Sequence, residues 1–383
     1  MNSAPKTKPI FLTKTIELQR LIKELINHPI IAVDTESNSL YAYQEQVCLI
    51  QFSTSEDDYL VDPLAIHDLS SLSTIFENQK IEKVFHAAEY DLICLQRDFG
   101  FVMTNIFDTM VASRILGRKA VGLGSILKSE FGVNLDKRFQ RANWGKRPLP
   151  NDMLHYAHYD THFLIPLRNI LYNQLVQKQL TQLAQEDFDR LCKLENIHQN
   201  DQLSKSKPLD CWKIKGSTEL NPKQAAVLQE ICKYRDKLAK EWNQPLFKVF
   251  SDKTLLAIAE QTPHKSEELR HIPGLSARQI NRHGDAIIQA VKQGKKAEPV
   301  YAPRNHRPDV DYLDRLDAIR RWRKRAGMDM GVPSDVILPR DLMLKLASEN
   351  PTNAEQLAEL LHNVPWRIDR FGDQIIQVLS SRR

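Results

Sequence analysis

The second half of the chain is an internal duplication. At a constant offset of 88 residues, and without a gap, identical residues coincide: Leu228 with Leu316, Arg235 with Arg323, Pro245 with Pro333, Gly284 with Gly372 and Ile287 with Ile375. Within each copy the apolar residues recur at helical spacing, and proline and glycine stand between the helical runs. The duplication therefore predicts two copies of one all-α domain, over residues 219–297 and 308–383, each a bundle of about four or five helices.

Two segments without helical periodicity mark the joints between domains. Residues 293–310 are rich in proline and charge, which is typical of a linker, and they separate the two copies. A second joint is predicted near residues 197–218, where the helical pattern is lost. We therefore expect residues 1–200 to form a domain of their own.

This first domain alternates β-rich and helical runs. The predicted strands are residues 30–37, 47–54, 58–63, 81–86 and 104–109, and the predicted helices are residues 13–27, 87–99, 110–117 and 150–176. Such alternation of strands and helices is typical of an α/β domain, here with a mixed sheet.

Composition excludes several other classes of protein. Hydrophobic residues make up 42% of the chain and charged residues 26%, as in globular rather than disordered or fibrous proteins. No run approaches the roughly 18 apolar residues of a membrane span, and no signal peptide is expected. The five cysteines are widely spread and never form a C-x-x-C pair, which predicts reduced thiols, a cytoplasmic protein and no zinc site.

The charge is distributed unevenly along the chain. Residues 1–205 have 22 Lys and Arg against 25 Asp and Glu, a net charge of −3, whereas residues 206–383 have 31 against 23, a net charge of +8. This division suits a protein that holds divalent cations in its first half and phosphates in its second. Ordinary variation in surface charge is the simpler explanation.

Acidic residues occupy informative positions in the first domain. Asp34 and Glu36 are two residues apart on a predicted strand, so both side chains leave the same face of the sheet. Asp91 lies about one turn into the following helix, and Tyr156 and Asp160 are neighbours four residues apart on the last helix. If these elements pack together, the four carboxylates repel one another unless divalent cations neutralise them. Oxygen ligands of this kind select Mg²⁺ or Mn²⁺.

These residues resemble the motifs of a known enzyme family. Asp-Thr-Glu in a strand, F-H-A-A-E-Y-D entering a helix and Y-x3-D in a late helix are similar to the three motifs of the DEDDy 3′-to-5′ exonucleases. The duplicated module resembles the HRDC domain, and the whole arrangement resembles the ribonuclease D family. Ser37 departs from the pattern, because many members have an aromatic residue there. The resemblance implies a ribonuclease H-like α/β fold for the first domain, followed by two all-α HRDC bundles.

The resemblance also implies a chemistry. It predicts removal of nucleotides from the 3′ ends of precursor tRNA and other structured RNAs, with release of nucleoside 5′-monophosphates, by a site with two divalent ions, Mg²⁺ or Mn²⁺. By analogy Asp34 bridges both ions, Glu36 and Asp160 bind the ion that activates water, and Asp91 holds the other ion largely through water. Tyr156 then orients the attacking water.

Seven further residues are candidates for substrate contacts: His86, Asp108, Trp144, Lys146, Arg147, Arg321 and Arg323. Each has a structural alternative. His86 is more simply a partly buried, hydrogen-bonded histidine. For Asp108 a helix cap, and for Trp144 a side chain wedged under its loop, are alternatives equal to a substrate contact. Basic runs such as the one around Arg321 and Arg323 often form only a solvated helix face, although phosphate binding is an equal possibility beside a nuclease.

Two other functions fit the same residues. A DNA 3′-to-5′ exonuclease needs the same metal site, because the site itself does not recognise the 2′-hydroxyl group. A non-catalytic RNA-binding scaffold shares the fold, but the complete acidic set argues against it. We expect RNA as the partner, no membrane association and a monomer, although the sequence does not fix the oligomeric state.

Overall fold

The computed structural model describes residues 8–198, 210–303 and 309–381. Within them, six strands form one mixed sheet in the order β1-β4-β3-β2-β5-β6. Their bounds are Ile10–Leu12 (β1), Ile30–Ser37 (β2), Val47–Ser53 (β3), Asp58–Val61 (β4), Glu82–Phe85 (β5) and Ile106–Asp108 (β6). Strand β4 is antiparallel to β3 and parallel to β1, and β5 is parallel to both β2 and β6. The α/β domain with a mixed sheet is therefore confirmed.

Burial explains why the central strands read as apolar runs. All seven residues of β3 are buried, and Ile31, Ala32 and Val33 of β2 have no exposed surface. Helices cover both faces of such a sheet, so its inner strands do not alternate polar and apolar residues. Strand β1 was not predicted, because its three residues are too few to show a pattern.

Eight helices lie in the described part of the first domain. They are Thr15–Leu25 (α1), Ser73–Phe76 (α2), Glu89–Phe99 (α3), Thr109–Ile115 (α4), Leu123–Phe131 (α5), Asn151–His162 (α6), Leu164–Gln177 (α7) and Thr181–His198 (α8). The prediction of a single helix over 150–176 is wrong, because α6 ends at His162, before Phe163, and α7 begins at Leu164. Pro166 lies in the first turn of α7, where its missing N–H group would have no partner in any case. Helix α8 was not predicted.

The two repeats are helical, as the duplication predicts. The first contains Pro222–Glu241 (α9), Leu246–Val249 (α10), Asp252–Gln261 (α11) and Ala277–Lys296 (α12). The second contains Val310–Met330 (α13), Ser334–Ile337 (α14), Arg340–Glu349 (α15), Ala354–Leu360 (α16) and Pro365–Ser380 (α17). Much of the joint predicted near 197–218, part of the linker at 293–310, and the domain limits at 200, 308 and 383 lie outside the described residues.

Contacts divide the chain into two compact units. One contains the described residues within 1–36, 47–201 and 307–383, and the other contains those within 37–46 and 202–306. In the first unit the second repeat packs on α8, where the buried Arg367 donates to the carboxylates of Glu186 and Asp187 at 2.8 Å each. In the second unit Tyr43 donates its hydroxyl hydrogen bond to Asp236 of α9 at 2.6 Å. No helix in the described ranges has the length and apolar content that a membrane span requires.

Candidate active site

Three elements of the first domain supply the predicted acidic residues. Strand β2 lies between β3 and β5 in the sheet and ends with Asp34 and Glu36. Asp91 is in the first turn of α3, and Asp160 is near the end of α6. The Ser53 hydroxyl donates to that of Thr161 at 2.7 Å, which ties β3 to α6. These elements bring the four carboxyl groups within electrostatic reach of one another.

The carboxyl groups raise one another's pKa values. Burial and the charges of Asp91, Asp160 and Glu36 raise the pKa of Asp34 well above its usual value. Burial and the same kind of repulsion raise the pKa of Glu36 well above its usual value. The pKa of Asp160 rises to about 7, mainly through burial and then through Asp91, and burial also raises the pKa of Asp91 to about 7. Such a group favours cations as partners.

The carboxylates are near one another but do not form a closed coordination sphere. Among the described residues, no group of three or more His, Cys, Asp or Glu side chains is arranged to hold a metal ion. Asp34, Glu36 and Asp160 each keep part of their surface exposed, whereas Asp91 is buried. The donor set suits hard divalent cations in its chemistry, since every member is a carboxylate oxygen.

Two neighbouring polar residues were missed by the sequence analysis. Thr35 donates its hydroxyl hydrogen bond to Asp91, and this bond opposes the rise in the pKa of Asp91. Gln51 is fully buried in β3 and its amide Nε2 donates to Asp34 at 3.4 Å. A glutamine inside the apolar run of β3 was a signal that could have been followed. Thr35 gave none, because strand alternation predicts that it faces away from Asp34 and Glu36.

Tyr156 lies between two aromatic rings. Its ring centroid is 5.8 Å from that of Phe139 and 6.0 Å from that of Trp144. Burial, followed by the charges of Asp160 and Glu36, raises the pKa of Tyr156 above its usual value. The phenol therefore keeps its proton at neutral pH and is a hydrogen-bond donor.

A cavity of about 470 Å³ opens beside Tyr156 and Asp160. Its wall comes from the end of α5, the segment that follows, and α6; it includes Leu135, Asp136, Arg138, His155, Tyr156, Tyr159 and Asp160. Of the four site carboxylates, Asp160 lines this cavity, together with aromatic rings and other charged groups, so the cavity can receive a polar ligand with flat rings.

His86 and Asp108 occupy structural positions. The Nδ1 atom of His86 is 2.9 Å from the hydroxyl oxygen of Thr109, and burial lowers the pKa of His86. Asp108 caps α4 by accepting from the backbone N–H groups of Met110 and Val111, and it also accepts from those of Ala87 and Ala88. The Nδ1 atom of His86 and both carboxylate oxygens of Asp108 thus have partners within the protein.

The three candidates in the loop before α6 have different environments. Trp144 is only 1% exposed and packs under the loop, in a cluster with Leu49, Leu60 and Met153. Arg147 directs its guanidinium group into the protein, whereas Lys146 is exposed. The side chain of Arg147 keeps 26% of its surface exposed, although its guanidinium donors bond within the protein.

In the second repeat, Arg321 and Arg323 point in different directions. Arg321 is exposed, but Arg323 is half-buried and donates to the carbonyl oxygen of Leu338 at 2.8 Å. At the same offset of 88 residues, Arg235 donates to the carbonyl oxygen of Phe250 at 3.2 Å. The two repeats thus share one internal hydrogen bond, and Arg323 belongs to the architecture of its bundle.

Family comparisons cover both parts of the chain. Residues 9–176 match the family described as 3′-5′ exonuclease, and residues 224–291 and 313–379 match the HRDC domain. Ribonuclease D of Desulfotalea psychrophila is 31% identical over 294 residues, which cover 76% of this chain and 77% of that protein. Protein RRP6-like 2 of Arabidopsis thaliana is also 31% identical, over 74% of this chain. The match spans only 33% of that longer protein, and 46% of Protein RRP6-like 1 of the same plant.

Solved structures share the architecture. The crystal structure of RNase D from Escherichia coli aligns with a TM-score of 0.68 at 24% identity and covers 95% of this chain and 100% of that one. The catalytic core of RRP6 from Trypanosoma brucei aligns with a TM-score of 0.64 at 29% identity, over 76% of this chain and 81% of that one. The resemblance inferred from the motifs is confirmed.

Proposed function

The chain belongs to the ribonuclease D family of 3′-5′ exonucleases, and on that premise we propose that it is a metal-dependent exoribonuclease. It removes nucleotides from the 3′ end of RNA and releases nucleoside 5′-monophosphates. The observation that carries this proposal is the meeting of Asp34, Glu36, Asp91 and Asp160 at one place, where they raise one another's pKa values. When all four are ionised, that arrangement disfavours the folded chain unless cations are bound.

The four carboxylates would hold two divalent cations, Mg²⁺ or Mn²⁺. Bound there, two such ions would lower the pKa of a water molecule and would neutralise negative charge on the phosphate oxygens. The side chains of the protein do the rest. Tyr156 retains its proton and donates a hydrogen bond to the attacking water, and Gln51 and Thr35 fix the orientation of Asp34 and Asp91. The cavity beside Tyr156 receives the terminal nucleotide.

The substrates in this proposal are tRNA precursors and other structured RNAs in the cytoplasm. The exposed basic side chains of the second repeat support contact with a folded RNA outside the cleavage site. None of the five cysteines forms a disulfide, which agrees with a reducing compartment. Of the three candidates in its loop, the exposed Lys146 is the one suited to a phosphate contact.

The experiment is incubation of purified protein with a 3′-extended tRNA precursor whose terminal hydroxyl is free or blocked. We expect stepwise shortening and nucleoside 5′-monophosphates only with a free 3′ end and only without chelator. Cleavage that ignores the 3′ block contradicts the exonuclease mode. A DNA strand of the same sequence tests the DNA alternative, because faster loss of DNA than of RNA favours it. Binding of RNA without any cleavage favours a scaffold.

A further inference from the structure

Arg147 is a candidate for substrate binding by sequence, but its hydrogen bonds are all made to acceptors within the protein. A guanidinium group has five N–H donors. In Arg147, Nε and Nη2 donate to the carboxylate of Asp62 at 2.6 and 2.7 Å. The other bonds go to the carbonyl oxygens of Trp144 at 2.7 Å, Lys146 at 2.8 Å and Cys48 at 2.7 Å. All five donors are used inside the protein, so none is available for a phosphate.

The partners of Arg147 join the loop to the sheet that carries the site. Asp62 is 2% exposed and directly follows β4. In β4, Leu60 pairs with Gln51 of β3, the residue that donates to Asp34. Cys48 is in β3 as well. Because the Arg147–Asp62 pair is bidentate and one partner is buried, it fixes the loop in one place relative to these strands.

The part of the loop that Arg147 holds is the part that supports Tyr156. Trp144 is almost completely buried, yet its indole N–H has no hydrogen-bond partner among the described residues. Packing and the position of its backbone therefore determine where the ring lies, and Arg147 binds the carbonyl oxygen of that backbone. The ring of Trp144 in turn lies 6.0 Å from that of Tyr156.

We propose that the Arg147–Asp62 pair is a positioning device for Tyr156, acting through Trp144, and that Arg147 is not an RNA contact. Only the expected effect on kcat rests on the proposed function; the positioning of Tyr156 does not. A tyrosine that orients a water molecule must be held within a fraction of an ångström, since a displacement of about 1 Å can cost about 100-fold in rate. The Trp144 ring limits the orientation of the phenol, and Arg147 limits the position of that ring.

The test is Arg147→Lys, which keeps the charge but loses the planar fork. We expect kcat on short single-stranded RNA to fall by about fivefold to tenfold, at most as far as in Tyr156→Phe, with KM changed by less than about twofold. In a Tyr156→Phe background the same substitution should cost less than about threefold, because the positioned hydroxyl is already absent. The matched control is Arg168→Lys, since Arg168 forms a similar bidentate pair with Glu82.

Other outcomes overturn the inference. An equal loss of kcat in both backgrounds means that Arg147 does not act through Tyr156. A raised KM with a weaker salt dependence means that Arg147 binds RNA after all. If Arg147→Lys does not fold, Trp144→Phe provides the same comparison, because it shortens the support of Tyr156 while keeping an aromatic ring.

A second readout does not require activity. In protein labelled with 3-fluorotyrosine, the ¹⁹F resonance that disappears in Tyr156→Phe belongs to Tyr156. We expect Arg147→Lys to shift or broaden this resonance, and Arg168→Lys to leave it unchanged. An unaltered resonance in Arg147→Lys contradicts the positioning role even if the wild-type protein degrades RNA. A wild-type protein that degrades no RNA contradicts the proposed function alone.

Discussion

The four candidate metal ligands repel one another when all of them are ionised. Asp91 and Asp160 have pKa values of about 7 in the folded chain, far above the usual value for an aspartate. Burial is the main cause for both, so the protein fold itself disfavours their ionisation. The unfolded chain has no such penalty. The site therefore couples protonation to stability.

This coupling predicts an unusual pH dependence of stability in the presence of chelator. Between about pH 4 and pH 7 the folded chain binds more protons at Asp91 and Asp160 than the unfolded chain does. Their contribution to the free energy of unfolding is thus complete below about pH 4 and is lost as the pH rises through 7. Urea unfolding at several pH values measures it. In Asp160→Asn the decline should be shallower; an identical profile would remove Asp160 from the effect.

Substitutions of single site residues should lower kcat by different amounts. Asp160→Asn removes a proposed metal ligand and should lower kcat by about 10²-fold to 10⁴-fold, with the fold and RNA binding largely retained. Tyr156→Phe removes one hydrogen bond and should cost about tenfold, since about 1.4 kcal/mol corresponds to that factor. Single-turnover cleavage of a short RNA measures both. A greater loss in Tyr156→Phe than in Asp160→Asn would reverse the assigned roles.

At the scale of elements, the second repeat is joined to the first domain by a buried charge cluster. Arg367 of α17 has no exposed surface and donates to Glu186 and Asp187 of α8 and to the carbonyl oxygens of Val336 and Ile337. Burial raises the pKa of both acids even though Arg367 lowers it. Removal of the arginine thus leaves two buried carboxyl groups without their cation.

We therefore expect Arg367→Ala to be strongly destabilising. Breaking a buried ion pair by removing one partner costs about 3 to 5 kcal/mol. The free energy of unfolding, measured with urea, should fall by this amount. Arg370→Ala is the matched control, because Arg370 is exposed on the same helix. Equal stability of the two variants would show that the cluster does not hold α17 against α8.

Much of the element structure could be predicted from the sequence, because local patterns encode it. Strand β2 has the predicted bounds of residues 30–37, and its two acids follow from spacing alone. The break at Phe163 could not be predicted from apolar periodicity, which continues across it. The acceptors of Arg147 could not be predicted either, because Cys48 and Asp62 are far away in the sequence.

For the whole molecule, the two repeats differ in how their basic side chains are used. In α9, Lys233 pairs with Glu230 and Lys237 with Glu241 on the same helix. At the equivalent positions of α13, Arg321 and Arg325 are exposed and have no ion pair within the described residues. The charges of Arg321 and Arg325 are thus available to phosphates, whereas those of Lys233 and Lys237 are partly neutralised.

This difference predicts unequal contributions to RNA binding. The double substitution Arg321→Ala with Arg325→Ala should weaken binding of a structured RNA and lower the salt dependence of the affinity by about two phosphate contacts. Cleavage of a short single strand should not change. Lys233→Ala with Lys237→Ala is the matched control, at the same spacing and with the same loss of charge, and should have little effect. Equal effects of the two pairs would show that both repeats bind RNA alike.

The proposed mechanism depends most on the binding of two cations by the carboxylate cluster. The direct measurement is the number of Mn²⁺ ions bound per chain at neutral pH, counted by electron paramagnetic resonance of the free ion in a titration. We expect two bound Mn²⁺ ions per chain in the wild-type protein and at least one fewer in Asp34→Asn. No saturable Mn²⁺ binding in the wild-type protein, or the same binding in Asp34→Asn, would contradict it.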